Sequence, residues 1–375
     1  MGGARTTRII PRYRGLTPLI LALTLVVLCP AWSDDALSGE NPATGNYFSK
    51  ASASMSMADK GPFNGTGFSP HFLIFLNLPG MAARHPTDAR YSLGLSTYLS
   101  QEFLTSYVDP DDEIPTRHAD FENLSLEANG RWYPSPRIQL GATMRLIAYG
   151  GGILDWSVEA FHGLFGFPNA GREYYPTNDV FVDYTSTEGY HFFLDRPRIS
   201  FGDLDLWATA TLVDAPLWAL AISGGLKVPT GSFEALSGSE GTDLALAALV
   251  DLNLHRRFSV YLNAGLTLAL TEPNAAPDTG TAFAQAIVAF EYAINHRLSL
   301  LLQGNLKSPS MHADIITRNN LGQIGDQLGL PQTNLKFGLR RRSGHYLIQA
   351  YMEEDALTNN GVDFTLNLGI TRLFR

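Results

Sequence analysis

The sequence predicts an all-β protein, an antiparallel transmembrane up-and-down β-barrel of about twelve strands, with fourteen as the alternative. Three observations lead there. Segments that alternate apolar and polar residues recur through most of the chain, and a period of two places all the apolar side chains of a strand on one face. The connections between these segments alternate short and long, as periplasmic turns and outer loops do in bacterial barrels. Beyond residue 33 no stretch reaches roughly 18 consecutive apolar residues, so no helical span is expected. With little else for the apolar faces to pack on, lipid takes the place of a core.

The N-terminal region carries Arg5, Arg8, Arg12 and Arg14 ahead of any acid, then an apolar run from Leu16 to Leu28. Residues 1–33 are read as a secretory signal peptide, with Ala31-Trp32-Ser33 preceding the cleavage point. Cys29 as an acylated lipoprotein cysteine is disfavoured, because Leu28 stands where a small residue is wanted. It is the single cysteine of the 375 residues, so the mature chain would have no disulfide framework, thiolate metal site or cysteine nucleophile. Removing the four signal arginines leaves 23 basic residues against 36 acidic ones, about −13, which argues against a nucleic-acid partner. The expected location is the outer membrane, reached by export, with the lipid bilayer, lipopolysaccharide and the outer-membrane assembly machinery as partners. No cofactor is expected.

Residues 34–88 are the least regular part of the mature chain. Asp34 to Phe68 is rich in Ser, Gly, Ala and Asn, and Phe72 to Leu78 is nearly all apolar before Pro79-Gly80. Residues 46–57 and 69–78 would supply the extra hairpin of a fourteen-strand barrel; otherwise the segment folds inward as a plug. Residues 89–375 form the barrel. Strands are expected near 89–103, 120–133, 137–150, 200–213, 216–228, 243–254, 257–270, 281–293, 297–307, 333–341, 345–354 and 362–374. The pattern is clearest where Leu244, Leu246, Ala248, Val250, Leu252 and Leu254 precede a His255-Arg256-Arg257 turn and Val260 to Leu270 resume the alternation. In the last strand Val362, Phe364, Leu366, Leu368 and Ile370 share one phase, and Phe374-Arg375 resembles the common assembly signal with one residue added.

The longest connection, 151–199, opens on a short helix near 153–165, where Leu154, Val158, Phe161 and Phe165 make an apolar stripe ended by Gly166 and Pro168. Asp155, Glu159 and His162 fall at one-turn spacing on the neighbouring face. Carboxylates and an imidazole so spaced can converge on a cation, but a solvated face on a helix over the barrel mouth is the preferred reading.

The inner phase of the strands carries both charges. Arg145, Asp203, Asp205, Lys227, Asp243, Asp251, Glu291, Arg297, Lys307, Lys336 and Arg340 share it, with Gln303, Gln349, Glu353 and Asp363. Each must face the lumen, since a charge facing lipid at mid-depth costs about 2–4 kcal/mol. Lys227 and Asp243 lie at matching positions on adjacent strands and are expected to pair. Arg372 shares the outer phase, but near the periplasmic rim, where the cost falls to roughly 0–1 kcal/mol.

The run Gly150-Gly151-Gly152-Ile153-Leu154-Asp155, followed by Glu159, Phe161-His162 and Phe165-Gly166-Phe167-Pro168-Asn169, resembles a bacterial family of secreted proteins known as domain of unknown function 3187. Gly224-Gly225-Leu226-Lys227-Val228-Pro229-Thr230-Gly231, with Gly238-Ser239 and Asp243, is similar to the same family and to barrels encoded near aromatic-degradation pathways. The resemblance implies an outer-membrane barrel and brings no catalytic residues with it.

A passive channel or uptake pore for a small molecule is the expected function, with the 153–165 helix restricting the outer mouth. A structural or adhesive barrel with a filled lumen is the alternative, suited by the many inner charges of both signs. A barrel-embedded hydrolase would need a nucleophile, histidine and acid at one rim. The histidines show no such pairing, and His255, His296 and His345 sit in or beside the short turns.

Overall fold

Twelve long strands pair in chain order and close on themselves. The computed structural model describes residues 60–65, 75–86, 88–105, 117–166, 171–185, 191–270, 281–309, 331–355 and 362–375. The first three strands are β1 (Tyr91–Thr105), β2 (Arg117–Ser135) and β3 (Ile138–Gly150). The long connection then holds helix α1 (Asp155–Phe165), a single 3-10 turn (Arg172–Tyr174) and three short strands, β4 (Phe181–Thr185), β5 (His191–Leu194) and β6 (Arg198–Phe201). The wall continues with β7 (Leu204–Asp214), β8 (Trp218–Val228), β9 (Asp243–His255), β10 (Phe258–Ala269), β11 (Ala282–Ala293) and β12 (Leu298–Lys307). It ends with β13 (Gln332–Ser343), β14 (Tyr346–Glu354) and β15 (Phe364–Phe374). β15 pairs antiparallel with β1 from Tyr91↔Phe374 to Gln101↔Phe364, so the sheet has no open edge among these twelve.

The two faces of the wall differ as the alternation demands. Leu93, Leu126, Leu246, Leu266, Phe290 and Phe337 are among the exposed side chains of the outer face, while Ser100, Asn123, Ser223, Gln303, Asn334 and Thr365 of the inner face are buried. Tyr91, Trp132, Trp218, Tyr292 and Tyr346 are exposed at the strand ends nearest the short turns, the aromatic girdle of a membrane interface. Arg372 lies within this girdle, its guanidinium 4.7 Å from the Phe374 ring centre and 5.8 Å from that of Tyr346, which explains a charge in the outer phase.

Three details differ from expectation. The strand expected over 200–213 is interrupted. β3 pairs with β7 as far as Thr143↔Asp205 and with β6 from Leu146↔Phe201, so Met144 and Arg145 oppose Gly202, Asp203 and Leu204. The additional residue is a β-bulge that reverses the phase: Ile199 and Phe201 point outward, whereas Asp203, Asp205 and Trp207 are buried inside. Val362, expected on the lipid face, precedes β15 and is fully buried. Residues 75–78 are not in a strand, and the rest of the two segments proposed for a fourteen-strand barrel, 46–57 and 69–74, lies outside the described residues.

Leu262 stands at the middle of β10 on the lipid face, opposite Val250 and Val288. Leu262→Arg is expected to lower unfolding free energy in lipid vesicles by about 2–4 kcal/mol, against roughly 0–1 kcal/mol for Tyr346→Arg at the rim. Equal losses in denaturant titrations would contradict a membrane-embedded band.

Candidate functional site

The lumen is occupied by the chain itself. Residues 60–65 and 75–86 have no regular secondary structure, so their backbone groups must find partners elsewhere. The inner-phase side chains of the wall supply them. Gly61 N–H donates to Glu291 at 3.3 Å and Phe63 N–H to Gln303 Oε1 at 2.7 Å, while Arg340 donates to the carbonyls of Gly61 and Pro62, and Lys336 to that of Gly65. In the second stretch, Leu76 N–H donates to Asp243 at 2.7 Å and Leu78 N–H to Gln285 Oε1 at 2.7 Å. Asp251 accepts from both Ala83 N–H, at 2.9 Å, and Arg84 N–H, at 3.1 Å. Thr267, Asn263 and Thr211 donate to the carbonyls of Leu76, Met81 and Ala83.

Apolar contacts complete the seat. Phe63 packs on Tyr351 with ring centres 4.5 Å apart, and Phe75 on Phe283 at 4.3 Å. Leu76, Leu78, Met81 and Ala83 form one buried cluster with Trp207, Ala219, Ala221, Ala247, Leu249 and Ile287 of the wall. The small alanines of β8 and β9 leave the space that the segment fills. Charged and polar side chains of the wall thus hold the backbone of the segment, and small apolar ones admit its side chains.

The remaining candidates sort into ion clusters. Arg145 Nε lies 3.1 Å from Glu127 and Arg145 Nη1 3.1 Å from Asp205. Lys227 is fully buried, 3.0 Å from Asp203 and 3.2 Å from Asp243, and donates to Ser239 Oγ at 2.5 Å. Asp203 also accepts the N–H groups of Thr230 and Gly231 at 3.0 and 2.8 Å, which folds the 229–242 connection back over the barrel. Gly238 is required there, because a Cβ would come within 2.5 Å of the Asp203 carboxylate. Lys336 pairs with Glu353 at 3.3 Å, Tyr261 donates to Glu291 at 2.8 Å, and Lys307 is buried on the same inner face. Arg297 is the exception. It lies beyond the start of β12 in an exposed turn, where the Asn295 side chain accepts the N–H groups of Arg297 and Leu298, and it does not reach the lumen.

At the outer mouth, α1 turns a polar face inward. Asp155 and His162 are buried and Glu159 is half-buried, whereas Trp156 and Leu164 are exposed; the solvated acidic face expected from the sequence is not found. Asp155 accepts from Gln101, Arg172 and the Asn178 N–H, the last at 2.6 Å. Arg172 also pairs with Asp363 and lies 4.6 Å from the Phe103 ring centre. Burial pushes the Asp363 carboxyl up, against the pull of Arg172. Glu122 accepts the Leu154 N–H, and the positive φ of 63° at Gly152 lets the backbone pass a carboxylate that any Cβ would strike. Among the described residues no three His, Cys, Asp or Glu side chains converge on a site for a metal ion.

The luminal segment is held by β7–β14 and leaves space beside β1, β2 and β3. A cleft there is lined by Asn64, Asn77, Met81, Glu127, Arg145 and Asp205, among others. A second lies toward the short turns, lined by Lys60, Arg84, Ser92, Tyr133, Arg340 and Leu373, among others. The two adjoin, sharing Asn64, Met81, Arg131 and Gln139. Beside them, burial and then the Arg131 guanidinium push His85 down to about 4, so its imidazole is neutral at physiological pH. Glu127 and Arg131 were not among the candidates, although both occupy inward positions of β2 and carry the same alternation signal.

Among solved structures, the chain is similar to the COG4313 outer membrane channel from Pseudomonas putida F1, at 14% identity and a TM-score of 0.48, over 77% of this chain and 99% of that one. It is also similar to the KdgM porin in complex with disordered oligogalacturonate, at 6% identity and TM-score 0.39, over 76% and 99% of the two chains. The CymD monoaromatic hydrocarbon channel matches at 11% identity and TM-score 0.37, over 84% and 99%. No curated protein matches the sequence. The family model described as "Protein of unknown function (DUF3187)" matches residues 46–374, and the chain belongs to that family.

Proposed function

We propose that the protein is an outer-membrane channel for a small molecule, in which residues 60–86 act as a plug and the cargo passes between that plug and the β1–β2–β3–β7 wall. The observation that carries this reading is the pair of adjoining clefts beside the luminal segment. Their outermost lining residues include Arg145 and Asp205, so the Glu127–Arg145–Asp205 cluster stands between the clefts and the outer mouth. Helix α1 and its Asp155–Arg172–Asp363 contacts restrict that mouth further. Lipid and lipopolysaccharide surround the apolar band, and the strand ending in Phe374 is the segment offered to the assembly machinery.

A structural barrel with a filled lumen is the second reading, favoured by the apolar cluster that joins the plug to the wall. Planar bilayers separate the two. The channel reading expects small, stable conductance from the intact protein, and a severalfold larger one when residues 60–86 are deleted. Absence of conductance both in the intact protein and after removal of 153–166 would remove the channel reading.

The plug's hold on the wall is tested at Asp251. Asp251→Ala leaves the buried Ala83 N–H without its acceptor, at about 1–3 kcal/mol, and the half-buried Arg84 N–H as well. A single cysteine at Ala83, inaccessible in the native seat, is then expected to react with maleimide at least about tenfold faster, since 1.4 kcal/mol is a factor of ten in an opening equilibrium. An unchanged labelling rate would mean that Asp251 does not hold the segment.

A further inference from the structure

We infer that the cleft nearer the short turns is a binding site for a small monocarboxylate with an apolar body. The inference deepens the channel reading and rests on it for the site's part in uptake, although the binding itself needs no transport.

Four cationic side chains line this cleft, Lys60, Arg84, Arg131 and Arg340, and among the described residues no carboxylate does. That is unexpected in a chain of formal charge −9. The carboxylates that offset three of these cations approach from outside the cleft, Glu291 acting on Lys60 as well as on Arg340. Arg84 is 2.8 Å from Asp214 and donates to the Ala215 carbonyl; Arg340 donates to Gly61 and Pro62 and lies 3.7 Å from Glu291. Arg131 has no ion-pair partner among the described residues, is half-buried, and lines both clefts at their junction. A half-buried guanidinium is stabilised by a bidentate anion, and a carboxylate matches its planar fork.

The rest of the lining selects what the anion carries. Ser92 and Tyr133, bonded to one another at 3.1 Å, and Gln139 provide neutral hydrogen-bonding groups. Met81, Leu347 and Leu373 provide apolar surface. The cleft thus offers cationic, neutral polar and apolar surface to one small ligand. An amine of the same shape meets the four cations, and an alcohol leaves Arg131 without an anion.

Equilibrium titration of the purified, folded, detergent-solubilised barrel with hexanoate, 1-hexanol and hexylamine tests this directly. Hexanoate is expected to bind at least about tenfold more tightly than 1-hexanol, with no binding of hexylamine, a tenfold ratio being one charge-assisted contact. Arg131→Gln is expected to weaken hexanoate about tenfold and leave 1-hexanol unchanged, and Arg131→Lys to recover part of the loss. Equal affinity for hexanoate and 1-hexanol in the native protein, or hexanoate binding indifferent to Arg131→Gln, would overturn the proposal. The native comparison needs no variant, so it stands even where a substituted barrel does not fold. Conductance without hexanoate binding would overturn this site alone; hexanoate binding without conductance would overturn the channel reading alone.

Discussion

A backbone inside a barrel has to be hydrogen-bonded, and most of what is distinctive in this protein follows from that constraint. The luminal residues have neither a helix nor a strand to satisfy their N–H and C=O groups, and their surroundings are walls, not bulk water. Side chains on the inner face take up the task. Glu291, Gln303, Asp243, Gln285 and Asp251 accept from the segment, and Arg340, Lys336, Thr267, Asn263 and Thr211 donate to it. Removing one partner of such a bond leaves a buried polar group whose cost exceeds the net worth of the bond. The inner charges therefore specify one seat for the segment and disfavour alternative placements.

The same side chains also hold one another. Lys227 joins the carboxylates of Asp203 and Asp243 while Asp243 accepts the Leu76 N–H, so a loop outside the wall and a segment inside it share one ion cluster. The bulge at Gly202-Asp203 is what makes this possible. By reversing the phase of the strand it turns Asp203 inward beside Lys227 and sets Asp205 against Arg145. Wall, loop and luminal segment are in this way coupled at the outer half of β3, β7 and β8.

The barrel was legible in the sequence because its signal is repeated: every strand alternates, and every second connection is short. The Lys227–Asp243 pair was legible for the same reason, since register across a hairpin follows from counting. Asp203 as a third member was not, because an additional residue in one strand leaves no mark on apolar alternation when Phe201 and Leu204 both accept the outer face. Arg297 shows the limit of phase reasoning. Its position continues the inner series, but Asn295 captures the backbone before the strand begins. The path of residues 60–86 was beyond reach, since contacts more than 120 residues away in sequence set its conformation, as at Phe63–Gln303 and Ala83–Asp251. The helix over the mouth was read with its inner face too dry; a helix that covers a polar lumen buries Asp155 and His162 beside Leu154 and Val158.

Lys60 and Pro86, the two ends of the described luminal segment, line the same cleft near the short turns. Residues 60–65 pass Gln303 and Lys336, and residues 75–86 pass Gln285 and Asp251. Every bond named here between these stretches and the wall runs through a wall side chain and not through strand pairing, so letting go of the segment breaks no rung of the β1–β15 seam.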